Sequence, residues 1–200
     1  MRRVAVLALA VCLGGCGLLE YAGLLDRAPP PKRLHKLETT AKQAGGVVKS
    51  IPIGLGPVTF PGYLDPIRIV TRVRPDTLEA APDDGWAEPL DRALPRVLGE
   101  DLALLIPVER TAVQPTRKDR KVQYQVIVEI SRFDGPLNGE LSLVARWRLL
   151  DASANELANK ETKVTRPSGG TYPAIAAGYG LMLEGLSRAI AAEINTLAAK

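Results

Sequence analysis

The chain has 200 residues, of which 46% are hydrophobic and 4% aromatic, and 26 Lys and Arg against 22 Asp and Glu give it a formal net charge of +4. This length suits one domain whose core is built mainly from aliphatic side chains. Without the first 15 residues, which hold two arginines, the balance falls to 24 against 22. A net charge of +2 gives no case for a nucleic-acid-binding protein.

The first 15 residues have the pattern of a secretory signal peptide. Two arginines precede an unbroken apolar run at residues 4–13, and small residues follow it. The run is shorter than the roughly 20 apolar residues of a membrane-spanning helix. Because Cys12 lies inside the run, Cys16 is the one cysteine of the mature chain. A disulfide within the chain and a zinc site of several thiolates are therefore excluded.

The sequence Leu-Gly-Gly-Cys at residues 13–16 is a lipobox, an aliphatic residue and two small residues before a cysteine. We expect cleavage after residue 15, a diacylglycerol on the Cys16 thiol and an acyl chain on its amino group, with no other cofactor. Several acyl chains make anchoring effectively permanent. Gly17 follows instead of an Asp, which favours the outer membrane over retention at the inner membrane.

Residues 16–31 are predicted to be a membrane-proximal tether. A small apolar patch at residues 18–25 is followed by three prolines at 29–31, which favour a stiff polyproline II stretch. The folded domain is predicted to occupy residues 32–200.

Alternating or β-rich stretches predict the strands of this domain, and apolar spacing at helical period predicts two long helices. The predicted strands are 33–38, 50–61, 67–73, 77–81, 121–133, 140–150 and 156–165, and the predicted helices are 86–106 and 172–199. The stretches 121–133 and 140–150 form the clearest hairpin, with a turn at 134–139. The order of elements predicts an α/β fold: a mixed β-sheet with a strand–helix–strand unit, a C-terminal meander and a closing long helix packed on the sheet.

The first helix has specific expected features. Asp83 or Asp84 is expected to end the preceding strand and to cap the helix, and Pro89 suits the first turn. Pro95 is expected to kink or open the helix interior.

The sequence offers no catalytic or metal-binding set. His35, the one histidine, lies between basic residues and is expected to be an exposed strand residue. Asp101 and its neighbour Glu100 are expected on a solvated helix face.

The glycine-rich stretch at 54–57 lacks the Lys-Ser/Thr of a phosphate-binding loop. The basic cluster at 117–121 is expected to be a solvated loop, with contact to anionic lipid or an acidic partner as the alternative.

Apolar residues in the loop at 60–65 are the remaining candidates. Phe60, Tyr63 and Leu64 lie between prolines and a glycine, where they either fill the core or contact another chain.

Several segments in order resemble the PqiC/YmbA family of auxiliary lipoproteins of ABC-type and MCE-protein transport systems. They are "IGLGPV" at 53–58, "FPGYLD" at 60–65, "IVTR" at 69–72, "WAEPL" at 86–90, "RFDG" at 132–135, "LVARWRLLD" at 143–151 and "LSRAIAAEI" at 186–194. Together with the lipobox they span nearly the whole chain. By this resemblance Phe60, Tyr63, Leu64, Asp65 and Trp86 are candidate structural or partner-contact positions.

The resemblance implies a non-catalytic lipoprotein on the periplasmic face of the outer membrane of a Gram-negative bacterium. Such a protein docks an MCE-domain protein that carries lipid across the periplasm, and so helps to maintain membrane integrity. A ring or other homo-oligomer suits a cap on a tubular partner. The alternatives are a structural envelope-assembly lipoprotein unrelated to lipid transport and, less favoured, a tethered enzyme.

Overall fold

The structure is a computed structural model that describes residues 30–44, 51–106, 113–115 and 122–199. The predicted signal peptide, Cys16, most of the predicted tether and the basic cluster at 117–121 lie outside these residues. From Pro31 onward the chain forms one compact unit.

The described elements follow one another as strands and two helices. They are β1 (Arg33–His35), β2 (Ile53–Thr59), β3 (Arg68–Arg74), β4 (Thr77–Trp86), α1 (Leu90–Leu105), β5 (Val113–Pro115), β6 (Tyr124–Asp134), β7 (Glu140–Asp151), β8 (Glu156–Pro167) and α2 (Tyr172–Ala198). The predicted α/β class, the meander of β6, β7 and β8, and the closing helix are confirmed.

Within the described residues the strands divide between two mixed sheets. The smaller has the order β1-β4-β3, with β1 parallel and β3 antiparallel to β4. The larger has the order β5-β2-β6-β7-β8, in which β2 is parallel to both neighbours and the meander is antiparallel. The division was not predicted, because alternation marks strands without showing which sheet they join.

The meander supplies most of the core face of the larger sheet. Val126, Val128 and Ile130 alternate inward on β6, and Val128 faces Trp147 of β7 across the ladder. All four are at most 2% exposed. The helices cover this sheet, α1 beside β2 and β5 and α2 beside β7 and β8, and they also pack on each other. Each buried aliphatic side chain contributes about 1.5–3 kcal/mol through removal from water.

Helix α2 closes the fold as its sequence predicts. The Thr171 hydroxyl accepts a hydrogen bond from the Ala174 amide at 3.3 Å, and Pro173 lies in the first turn. Its inward stripe is Ile175, Tyr179, Met182, Leu183, Leu186, Ile190 and Ile194, each at most 1% exposed. Among the described residues, no helix combines the length and apolarity needed to cross a membrane.

The start of α1 differs from the prediction. The helix begins at Leu90 and is capped by Pro89 without a side-chain hydrogen bond, so the predicted cap by Asp83 or Asp84 is wrong. Both aspartates lie in β4, which continues to Trp86. The strand extends this far because the Trp86 amide donates to the Ile67 carbonyl at 2.6 Å and β1 pairs alongside. Pro95 lies inside α1, which remains helical to Leu105.

Candidate functional site

The loop at 60–65 divides its side chains between the core and the surface. Leu64 is 5% exposed, and Phe60 packs against the core from a partly buried position. Tyr63 remains 37% exposed. Of the loop's two aromatic rings, only that of Tyr63 is therefore well placed to meet another molecule.

Asp65 fixes the end of this loop. Its Oδ1 accepts hydrogen bonds from the amides of Ile67 and Arg68 at 2.7 and 2.9 Å. Such bonds from a side chain to nearby amides close a turn without any ligand. The geometry gives Asp65 a local role at the entry to β3.

Tyr63 reaches a fully buried carboxylate at the end of β6. Its hydroxyl donates to Asp134 Oδ2 at 2.5 Å, and Arg72 of β3 donates from Nε and Nη2 to the two carboxylate oxygens at 2.8 and 2.9 Å. Arg132 adds a longer contact at 3.2 Å. The group joins the loop, the smaller sheet and the larger sheet through one carboxylate.

The protonation of this group follows from its contacts. Burial acts to raise the pKa of Asp134, but the hydrogen bonds from Arg72 and Tyr63 outweigh it and hold that pKa below its ordinary value. Burial and the bond to Asp134 raise the pKa of Tyr63. Asp134 therefore stays ionised and Tyr63 stays neutral at physiological pH.

An open groove of about 660 Å³ lies beside this group, at the edge of β3. Its lining consists of Tyr63, Arg72, Val73, Arg74, Pro75, Ser131, Arg132 and Pro136. The lining holds three arginines and no acidic side chain. Sequence reasoning found Tyr63 but missed the arginines, since β3 and β6 are far apart along the chain.

Trp86, the other candidate position, lies in the core at 5% exposure. Its ring stacks on that of Tyr179 with ring centroids 5.7 Å apart. The Tyr179 ring also packs against the Phe133 ring, with their centroids 4.2 Å apart. This geometry assigns Trp86 to packing between the smaller sheet and α2.

His35 is not the exposed residue that the sequence predicts. Its side chain is 14% exposed, and Nε2 lies 2.8 Å from Oδ1 of Asp84, which is itself buried. Arg33 donates to both oxygens of Asp84 at 2.9 and 2.6 Å, and these bonds chiefly lower the pKa of that carboxyl. The pairing ties β1 to β4 and no local sequence signal reveals it.

Asp101 also departs from its prediction. It is fully buried in α1, where it accepts hydrogen bonds from the Thr39 hydroxyl and, at 3.2 Å, from the Ser187 hydroxyl of α2. Burial raises its pKa to about 6. The predicted solvated face is wrong because the chain before β2 covers this side of the helix.

That covering segment, residues 36–44, is here called the N-terminal strap. The Leu37 carbonyl accepts from Arg96 of α1 at 2.8 Å, and the Thr40 hydroxyl donates to Glu184 of α2 at 2.6 Å. The strap is thus hydrogen-bonded to both helices. In the described part of the chain, no group of three His, Cys, Asp or Glu side chains is placed to hold a metal ion.

Residues 34–191 match the family model of ABC-type transport auxiliary lipoprotein components. The chain belongs to this family. The resemblance to the PqiC/YmbA proteins is thereby confirmed, and the family consists of lipoproteins that serve as auxiliary components of ABC-type transport.

Two solved structures share the fold of this chain. One crystal structure, of an uncharacterized protein, aligns with a TM-score of 0.67 at 20% identity, covering 82% of this chain and 99% of the other. Another, of a Xanthomonas campestris protein of the DUF330 family, aligns with a TM-score of 0.66 at 18% identity, covering 84% and 99%. At these identities the likeness establishes the fold. No curated protein matches the chain.

Proposed function

We propose that this chain is a non-catalytic accessory subunit of an MCE/ABC-type lipid transport system. In this proposal acylated Cys16 holds it on the periplasmic face of the outer membrane of a Gram-negative bacterium, where its domain docks the MCE-domain protein and so helps to maintain membrane integrity. The observation that carries the proposal is the family match over residues 34–191.

The roles of the buried acids support a function without turnover. Within the described residues the buried acidic side chains are Asp84, Asp101 and Asp134, and each is hydrogen-bonded to groups from other elements. His35 contacts Asp84. These groups hold strands and helices together, which is the ordinary purpose of paired polar groups in a core.

Affinity purification of the full-length chain from cross-linked envelope membranes tests the proposal. We expect an MCE-domain protein in the purified fraction, and its absence would contradict the proposal. Another lipoprotein with the same signal and lipobox, purified in parallel, controls for proteins that follow any acylated chain. Recovery of only barrel-assembly or cell-wall proteins would favour the structural envelope-assembly alternative.

A ring or other homo-oligomer belongs to the same proposal, because a cap on a tubular partner must surround its end. Light scattering on the full-length chain in detergent micelles, corrected for bound detergent, measures the number of subunits. We expect a closed oligomer, and a monomer at every protein concentration would remove this part of the proposal.

A further inference from the structure

The groove beside Tyr63 carries more positive charge than its surroundings neutralise. Arg72, Arg74 and Arg132 line it, and the carboxylate that contacts this set is the buried Asp134. A second carboxylate nearby is that of Asp76, which accepts from the Thr77 hydroxyl beside Arg74. Three guanidinium groups against these two carboxylates leave the groove positively charged. A concave surface lined by one sign of charge concentrates the opposite charge.

The three arginines differ in how many hydrogen bonds their guanidinium groups already make. Arg72 donates to Asp134 from Nε and Nη2, and it donates to the Pro75 carbonyl from Nη1 at 2.6 Å. All three nitrogens are bonded, so this side chain is fixed in place. Arg132 touches Asp134 through Nε alone and is 44% exposed. Arg74 donates from Nε to the Thr77 hydroxyl at 3.3 Å. Arg74 and Arg132 line the groove and, among the described residues, each makes its hydrogen bond through Nε, which leaves the outer nitrogens available to an anion.

Backbone and apolar surface lie beside these charges. Strand β3 is an edge strand of the smaller sheet, and its outward amide at Arg72 is already bonded to the Gly135 carbonyl at 2.8 Å. The strand continues past this point to Arg74 with Val73 46% exposed. Edge strands offer unpaired amides and carbonyls that an extended peptide can use.

We propose that this groove binds an extended acidic segment of a partner polypeptide. Its carboxylates meet Arg74 and Arg132, its backbone runs along the end of β3, and its apolar side chains rest on Val73 and the Tyr63 ring. A peptide uses the charge, the strand edge and the apolar patch together, whereas a lipid has no backbone amides and carbonyls to pair with the strand edge. The inference deepens the proposed docking function and rests on it.

Fluorescence anisotropy of the full-length chain in neutral detergent micelles tests the inference. The probe is a short fluorescein-labelled peptide of alternating Glu and Val, and its counterpart has Gln in place of Glu. We expect saturable binding of the acidic peptide and at least about fivefold weaker binding of the Gln peptide. Equal binding of the two peptides would overturn the proposal.

Arginine variants locate the site. R74Q combined with R132Q should weaken binding of the acidic peptide at least about fivefold, while R146Q, which removes an exposed arginine of β7, should leave it unchanged. Thermal unfolding verifies that each variant folds. A folded double variant that binds as wild type would overturn the proposal.

Competition separates a peptide site from a lipid-headgroup site. Unlabelled acidic peptide should displace the probe far better than short-chain phosphatidylglycerol does, with short-chain phosphatidylcholine as the uncharged-headgroup control. Equal displacement by phosphatidylglycerol would assign the groove to a lipid phosphate instead. If the MCE-domain protein purifies equally with wild type and with the double variant, the docking function stands and this groove is not its site.

Discussion

The carboxylate of Asp101 accepts a hydrogen bond from the Ser187 hydroxyl across 3.2 Å, which joins α1 to α2 inside the core. Thr39 of the N-terminal strap donates to the same carboxylate. No cation is bonded to Asp101 in the described residues, so its negative charge depends on two hydroxyl groups in a buried position. The stability of the protein should therefore depend on the protonation of Asp101.

We predict that stability falls as pH rises from about 4 to about 6 and that D101N abolishes this fall. The folded pKa of about 6 lies above the ordinary value of 3.8, so the stabilising contribution of protonated Asp101 is complete below pH 4 and lost above pH 6. The difference between these two pKa values corresponds to an upper limit of about 3 kcal/mol. Chemical denaturation across this range measures it.

The control for this prediction is D76N at an exposed turn, which should keep the wild-type pH profile. The pKa of nearby Glu184 is lowered, mainly by the hydrogen bond from Thr40. The effect of Glu184 on stability therefore falls at a lower pH than that of Asp101. A D101N profile parallel to wild type between pH 4 and 6 would show that Asp101 is not the responsible group.

Removing Arg72 takes away the cation that donates to both carboxylate oxygens of the buried Asp134. We predict that R72M lowers the free energy of unfolding by about 3 kcal/mol, because the buried charge would keep only Tyr63 and the longer contact with Arg132 as partners. Adding D134N to R72M should recover part of the loss. Denaturant titration of the wild type, both single variants and the double variant measures the coupling.

The matched control is R146M, which removes an exposed arginine and should change stability by less than about 0.5 kcal/mol. If R72M costs no more than R146M, the group around Asp134 does not stabilise the fold.

Gly180 lies where α2 passes under the N-terminal strap. A Cβ added at this position would lie 2.7 Å from the Glu38 carbonyl oxygen, a backbone atom that cannot move alone. We predict that G180A destabilises the protein by about 1–3 kcal/mol through this overlap, although Ala is otherwise the better helix former. Thermal unfolding measures the change.

Gly62 supplies the control for this substitution, because an added Cβ there meets no atom within 4 Å. G62A should leave the melting temperature unchanged or slightly raised. A G180A protein as stable as G62A would mean that the strap yields without cost.

Replacing the proposed lipid attachment site should prevent acylation. We predict that C16S takes up no labelled palmitate and accumulates as the uncleaved precursor, because the thiol that receives the diacylglycerol is gone. C12S removes the other cysteine, in the predicted signal peptide, and should be labelled as wild type. Palmitate label in C16S equal to wild type would contradict the anchor.

Sequence alone predicts those parts of the fold whose periodicity is local. The alternation through Val126, Val128 and Ile130 defined β6, and the apolar stripe of α2 defined the closing helix. Asp84 was misjudged because an aspartate after an apolar stretch ordinarily ends a strand. Its charge is tolerated in β4 through Arg33, 51 residues away, and local spacing cannot show such a partner.

The candidate site was predictable to the same limited degree. The loop aromatic Tyr63 stood out from its proline and glycine surroundings, whereas the arginines beside it look like ordinary solvated strand residues. The pairing of Arg72 with Asp134 and the bond from the Arg72 amide to the Gly135 carbonyl bring them together, and the first of these contacts crosses 62 residues of sequence.

The N-terminal strap also limits how far the domain can travel from its proposed attachment. In the proposed anchoring at Cys16, 15 residue steps of chain separate the lipid from Pro31, where the compact unit that contains β1 and the strap begins. Fully stretched, these steps span about 50 Å. A partner that stays farther than this from the bilayer surface would be beyond the reach of the first folded residues.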